Sequence, residues 1–89
     1  MMKSLPSNVI NYKRTDVFDE VSVPKGLLKD HRTLPDVWGK IVILEGSLTY
    51  IVGEEEFQLT VDNPGVVEPQ VIHSVRPKDK VRFYVEFYK

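Results

Sequence analysis

Residues 38–52, WGKIVILEGSLTYIV, constrain the fold of this chain more than any other stretch. Ile41, Val42, Ile43 and Leu44, and then Leu48, Tyr50 and Val52, are β-branched, aromatic or aliphatic and flank Glu45-Gly46-Ser47. That arrangement predicts two strands joined by a tight connection, with glycine where a positive φ is often needed. The rest of the chain repeats the theme. Phe57, Leu59 and Val61 alternate with Gln58 and Thr60, the pattern of a half-buried strand, and Val71 to Val75 and Val81 to Tyr88 are further strand candidates. Asp62-Asn63-Pro64-Gly65, Glu68-Pro69-Gln70 and Arg76 to Lys80 punctuate them as turns. With no helical periodicity longer than a turn or two, the expected class is all-β, a small sandwich or barrel.

Upstream the signals weaken. Residues 1–15 read as an N-terminal arm that lies across a sheet edge in its own or a neighbouring subunit, and residues 16–89 as a single domain. Asp16 to Val23 suits a short strand or one turn of helix. After the Pro24-Lys25-Gly26 turn, Leu27 to Thr33 is expected as a strand, with Leu27, Lys29, His31 and Thr33 on one face and Leu28, Asp30 and Arg32 on the other. The Gly53 to Glu56 segment reads as a solvated acidic loop tip.

A chain of 89 residues, 42% hydrophobic and 28% charged, fits one domain that buries roughly 60–65% of its unfolded surface. A core of that size gains from a partner, so a homodimer is expected through the apolar arm and the aromatic last strand. The net charge of -1 and the scattered Lys13-Arg14 and Lys78 to Lys80 argue against nucleic acid. Zero cysteines exclude disulfides, thiolate metal ligands and a cysteine nucleophile. The first residues, MMKSLPSNVINYKR, carry no apolar signal core, and no run approaches the ~18 apolar residues of a membrane span. The expectation is a soluble cytoplasmic protein.

His31 and His73 are the only histidines, and they are the natural groups for metal binding or proton transfer near neutral pH. If the last two strands form a hairpin turning at Lys78-Asp79, His73 pairs with Tyr84, and Glu86 lies diagonally on the same face. A loop one residue longer or shorter would separate them. Glu86 stands between Val85 and Phe87, where a lone carboxylate needs a metal or an ion pair, to Arg82 or Arg32, unless that face is exposed. Tyr84 is then a candidate to orient a carboxylate or ligand, Thr33 shares the face of His31, and Arg82 sits one strand period from Tyr84. Trp38 either lines a cavity or packs in the core or an interface. Phe83, Val85 and Phe87 form the opposite, packing face.

Trp38 through Leu44-Glu45-Gly46 to Val52, followed by Glu68-Pro69-Gln70-Val71-Ile72-His73, resembles the two motif-bearing halves of a cupin, a small jelly-roll barrel. More closely, YKRT at 12–15, DHRT at 30–33, VWGKI at 37–41 and VRFYVEFY at 81–88 resemble the small stand-alone cupins known as TehB/YeaR-like, or tellurite-resistance-related, proteins. The resemblance covers almost the whole chain. It implies a cupin-type jelly-roll barrel or sandwich with a divalent metal at its mouth or interior. His73 falls at the histidine of the second motif, and His31 is the one histidine near the first. The usual first-motif pair of histidines is missing, Gly39 stands seven residues before Gly46 where a glutamate is usual, and Glu68 and Gln70 replace the second motif's proline and glycine. The resemblance therefore implies a reduced set of His31, His73 and Glu86, suited to zinc or iron with water in the open positions.

Two functions follow as expectations. One is a metal-binding cupin that binds or senses a small molecule or oxyanion. The other is a small metalloenzyme, dioxygenase- or isomerase-like, using the two histidines and the carboxylate as its metal centre. A metal-free structural or oligomerisation module is the third possibility.

Overall fold

The computed structural model describes residues 2–89, and among these it has eight strands and one 3-10 turn. In chain order the strands are β1 (Asn11–Arg14), β2 (Phe18–Asp19), β3 (Trp38–Gly46), β4 (Leu48–Val52), β5 (Glu55–Leu59), β6 (Gly65–Val67), β7 (His73–Arg76) and β8 (Val81–Tyr88). They form two antiparallel sheets. A five-stranded one has the order β1-β8-β3-β6, with β2 also on β8, and a three-stranded one has the order β5-β4-β7. Their inner faces meet in one core, built from Ile41, Ile43, Val67, Phe83 and Val85 of the first sheet and Leu48, Tyr50, Leu59 and Val75 of the second. The result is a small sandwich, and among the described residues no continuous ladder joins the sheets into a closed barrel.

The stretch 38–52 is two strands, but not a hairpin. β3 pairs with β8 and β6, whereas β4 pairs with β5 and β7, so the chain changes sheets at Gly46-Ser47. A register shift between Ile43 and Glu45 marks a bulge at Leu44, which bends the strand just before the crossing. Gly46 then takes φ +77, and a Cβ there would run into the Lys80 carbonyl. The true hairpin is β4–β5, where Val52 faces Glu55 across a two-residue loop and Gly53 has φ +60 at the position where a II′ turn favours glycine. Glu55 and Glu56 thus belong to β5, and Val61, expected inside, is 60% exposed.

The last two strands separate in the same way. β7 joins β4 and β8 joins β1, β2 and β3, so the expected β7–β8 hairpin does not form. Lys25–Leu28 is a 3-10 turn rather than the start of a strand, closed by Leu27 N–H donating to the Pro24 carbonyl at 3.0 Å. Near the N-terminus, β1 pairs with β8, Met2 reaches β6, and Lys3 pairs with Glu68 just beyond it at 3.3 Å. The free edge of β6 is covered there: the Val66 N–H donates to Met2 Sδ at 3.2 Å and its carbonyl accepts the Tyr50 hydroxyl at 3.1 Å. Burial, and then the Glu68 carboxylate, pushes that hydroxyl far above its ordinary pKa, so it stays a donor. No helix among the described residues is long and apolar enough to cross a membrane.

Candidate functional site

Four strands, β3 to β6, separate His31 from His73 along the chain, yet the backbone joins them directly. Each donates its N–H to the other's carbonyl at 2.8 Å, an isolated antiparallel bridge that sets the two side chains on one face. His31 Nδ1 lies 3.4 Å from His73 Nε2, with ring centroids 5.2 Å apart and planes at 79°. The other nitrogen of His73, Nδ1, donates to the Val71 carbonyl at 3.0 Å, which leaves Nε2 with its lone pair aimed at His31. Tyr50 meets the His73 ring edge to face at 5.8 Å.

His73 is 4% exposed, and desolvation lowers its pKa; the bond to Val71 opposes this and the neighbouring His31 charge adds to it. The neutral imidazole is therefore the folded form near neutrality. Unfolded His73 protonates near its ordinary ~6.5 while the folded ring resists, so its contribution to stability is present above that pH and is lost as pH falls through the lowered folded value. In urea denaturation with chelator present, stability is expected to decline as the pH is taken from ~6.5 downward, and to decline less in His73→Gln. Identical profiles for the two proteins would contradict the burial of this ring.

The pair stands on the wall of a cavity of ≈ 210 Å³ between the sheets. Apart from His31, His73, Thr15 and Thr33, its walls are apolar, with Leu27, Val75, Phe83, Val85 and Phe87 prominent. Leu27, His31 and Thr33 thus reach one space although their segment is not a continuous strand. Thr33 is 8% exposed; its hydroxyl donates to the Val37 carbonyl at 2.7 Å and accepts the Gln70 N–H at 3.3 Å. It ties the loop carrying Asp36 (φ 65) to the loop carrying Gln70 (φ 59), both in the left-handed region. Thr33→Val keeps the shape and strands both partners, so a loss of about 1–3 kcal/mol in denaturant unfolding is expected. A loss under ~0.5 kcal/mol would show that water replaces the hydroxyl.

The other expected site residues lie elsewhere. Because β8 pairs with β3 and not with β7, its inward residues are Phe83, Val85 and Phe87, and strand alternation turns Arg82, Tyr84, Glu86 and Tyr88 to the outer face. Glu86 sits across from Lys40 and Arg14 there and accepts the Tyr88 hydroxyl at 2.9 Å. It is not brought to the histidines. Tyr84 has the Arg14 guanidinium 4.8 Å over its ring, Trp38 pairs with Tyr88, and Arg82 approaches Glu45 at 4.0 Å. Among the described residues no group of three or more His, Cys, Asp or Glu could hold a metal, so the two-histidine, one-carboxylate set does not assemble.

The sequence reading missed a second space. A groove of ≈ 230 Å³ adjoins the cavity, sharing His31, Thr33 and Phe87 with it, and is lined further by Tyr12, Lys13, Arg32, Leu34 and Val37. Lys13 pairs with Phe87 across β1–β8, which places it on the inner side of the sheet, while its neighbour Arg14 goes outward. The signal was available in the paired tetrapeptides YKRT and DHRT, which converge here: Thr15 and Thr33 on the cavity, Lys13, His31 and Arg32 on the groove.

A family model described as TehB-like domain matches residues 13–85. Among solved structures, a protein from E. coli superposes with a TM-score of 0.89 at 18% identity, over 99% of this chain and 97% of that one. TehB from Haemophilus influenzae superposes with a TM-score of 0.84 at 28% identity, over 92% of this chain but 32% of its own. The chain thus spans about a third of the length of that TehB. No curated protein matches the sequence.

Proposed function

Given that the chain belongs to the TehB-like domain family, we propose that it is a small-molecule-binding β-sandwich whose ligand enters the inter-sheet cavity and is anchored by the His31–His73 pair. The observation that carries this reading is the convergence of His31 Nδ1 and His73 Nε2 to 3.4 Å on the wall of an otherwise apolar space. A largely apolar, preformed cavity with a few convergent polar groups is the usual form of a ligand site. The tellurite-resistance label of the family describes context rather than chemistry, so it carries no weight here. Benzyl alcohol, a neutral single-ring probe, is expected to shift the amide NMR signals of cavity residues and of both histidines. Leu27→Trp, which fills the cavity from the 3-10 turn, is expected to abolish those shifts. Shifts confined to the outer face around Trp38 and Tyr84, or none at all, would overturn the reading.

A second reading is favoured by the ring geometry. Two imidazole nitrogens bound at ~2.0–2.1 Å to one tetrahedral ion stand roughly 3.3–3.4 Å apart. The His73 Nδ1–H donated to a backbone carbonyl is the outer contact that metal-bound imidazoles usually make. Under this reading His31 and His73 hold a single divalent ion, zinc or iron, as a two-donor site with its remaining positions left to water or ligand, and without Glu86. Zinc titration by calorimetry is expected to give one site that His31→Ala and His73→Ala each remove and Glu86→Gln leaves unchanged. Loss of zinc binding in Glu86→Gln would restore the carboxylate to the set, and no binding to the wild-type protein would leave the metal-free cavity.

A further inference from the structure

The groove beside the cavity gives the ligand a chemical class. Resting on the cavity reading above, we infer that the site takes a small amphipathic anion: a single apolar ring or short chain in the inter-sheet cavity, with its negatively charged head in the Lys13–Arg32 groove. The size follows from the cavity. An apolar space of ~150 Å³ accommodates benzene, so ≈ 210 Å³ takes one ring with a short arm.

The sign follows from the groove. Its ionised side chains are Lys13, from β1, and Arg32, from the segment that carries His31, so two separate parts of the chain bring cations to one place. The Lys89 ammonium lies 4.6 Å over the ring of Tyr12, which also lines the groove. Among the described residues no Asp or Glu lines either space. For a chain of net charge -1 that is a local concentration of positive charge, not a property of the whole surface. Cavity and groove share His31, Thr33 and Phe87, so the two spaces adjoin and body and head lie within reach of one small molecule. His31 stands where the two spaces adjoin, with His73 beside it on the cavity side, so the arm of such a ligand passes His31.

Three probes with a common benzyl body test this by NMR titration of the full chain: phenylacetate, phenylacetamide and 2-phenylethylamine. Phenylacetate is expected to bind about tenfold more tightly than the amide, the order of effect of two exposed ion pairs, and the amine most weakly. The double variant Lys13→Gln/Arg32→Gln changes exposed side chains only, and it is expected to remove the preference for phenylacetate over the amide. Equal affinities of acid and amide, with both shifting cavity signals, would overturn the anion assignment and leave the cavity reading standing. A tenfold preference that survives in the double variant would also overturn it, since the charge would then be recognised elsewhere. Absence of cavity shifts with every probe would remove the cavity reading and this inference together.

Discussion

Phe83→Ala is expected to cost about 3–5 kcal/mol, a large part of the ~5–15 kcal/mol that holds a domain of this kind together. Phe83 is 0% exposed, meets Phe18 edge to face at 5.8 Å, and pairs across the sheet with Ile43 on one side and Phe18 on the other. It also lines the inter-sheet cavity, so truncation joins a new void to an existing one instead of letting the neighbours collapse onto it. Urea denaturation measures the effect. Phe83→Leu, which keeps most of the volume, is expected to lose less than half as much. A cost for Phe83→Ala below about 1.5 kcal/mol would mean that this side chain is not the centre of the core.

Gly46→Ala is expected to be the most damaging methyl addition in the chain, and Gly53→Ala is its control. Both glycines have positive φ, which costs a side chain about 1–2 kcal/mol. A Cβ at Gly53 meets nothing within 4 Å, so that cost is the whole effect. At Gly46 the same Cβ collides with the Lys80 carbonyl, and backbone on both sides of the sheet crossing must move. The expected outcome is a Tm lowered by roughly 5–15 °C in Gly53→Ala and by clearly more, or no cooperative unfolding, in Gly46→Ala. Equal shifts would show that the crossing yields without strain.

Period and pairing were legible in the sequence to different degrees. Alternation correctly sets Phe83, Val85 and Phe87 on one face of the last strand, because that property is local to β8. Which strand lies alongside is not local. The hairpin reading joined β3 to β4 and β7 to β8 because they are neighbours in sequence with a short polar link, whereas a sandwich places such neighbours in opposite sheets. Gly46 was read as a tight hairpin turn and is instead the residue that permits a bulged strand to leave its sheet. The error at Glu86 follows from this one mistake, since its place relative to His73 depended entirely on the β7–β8 pairing. The closeness of His31 and His73 rests on a two-residue backbone bridge, which no periodicity announces. Gln70 illustrates the converse: its φ of 59 holds the left-handed backbone that glycine would adopt freely, with no glycine in the sequence to mark it.

The place of β8 has a consequence for how the chain folds during synthesis. β1 and β2 take their ladder hydrogen bonds from β8, β3 takes those of one of its edges from it, and the bridge from Ile10 to Lys89 extends the β1–β8 ladder. A ribosome delivers these residues after every strand that depends on them. Until residues 81–88 leave the exit tunnel, β1, β2 and β3 lack their common partner, and the inner faces of β3 and β6 have only half a sheet to pack against. The larger sheet, the cavity it roofs and the groove at Lys13 therefore form together, in a late step with high contact order, and not by stepwise growth from the N-terminus.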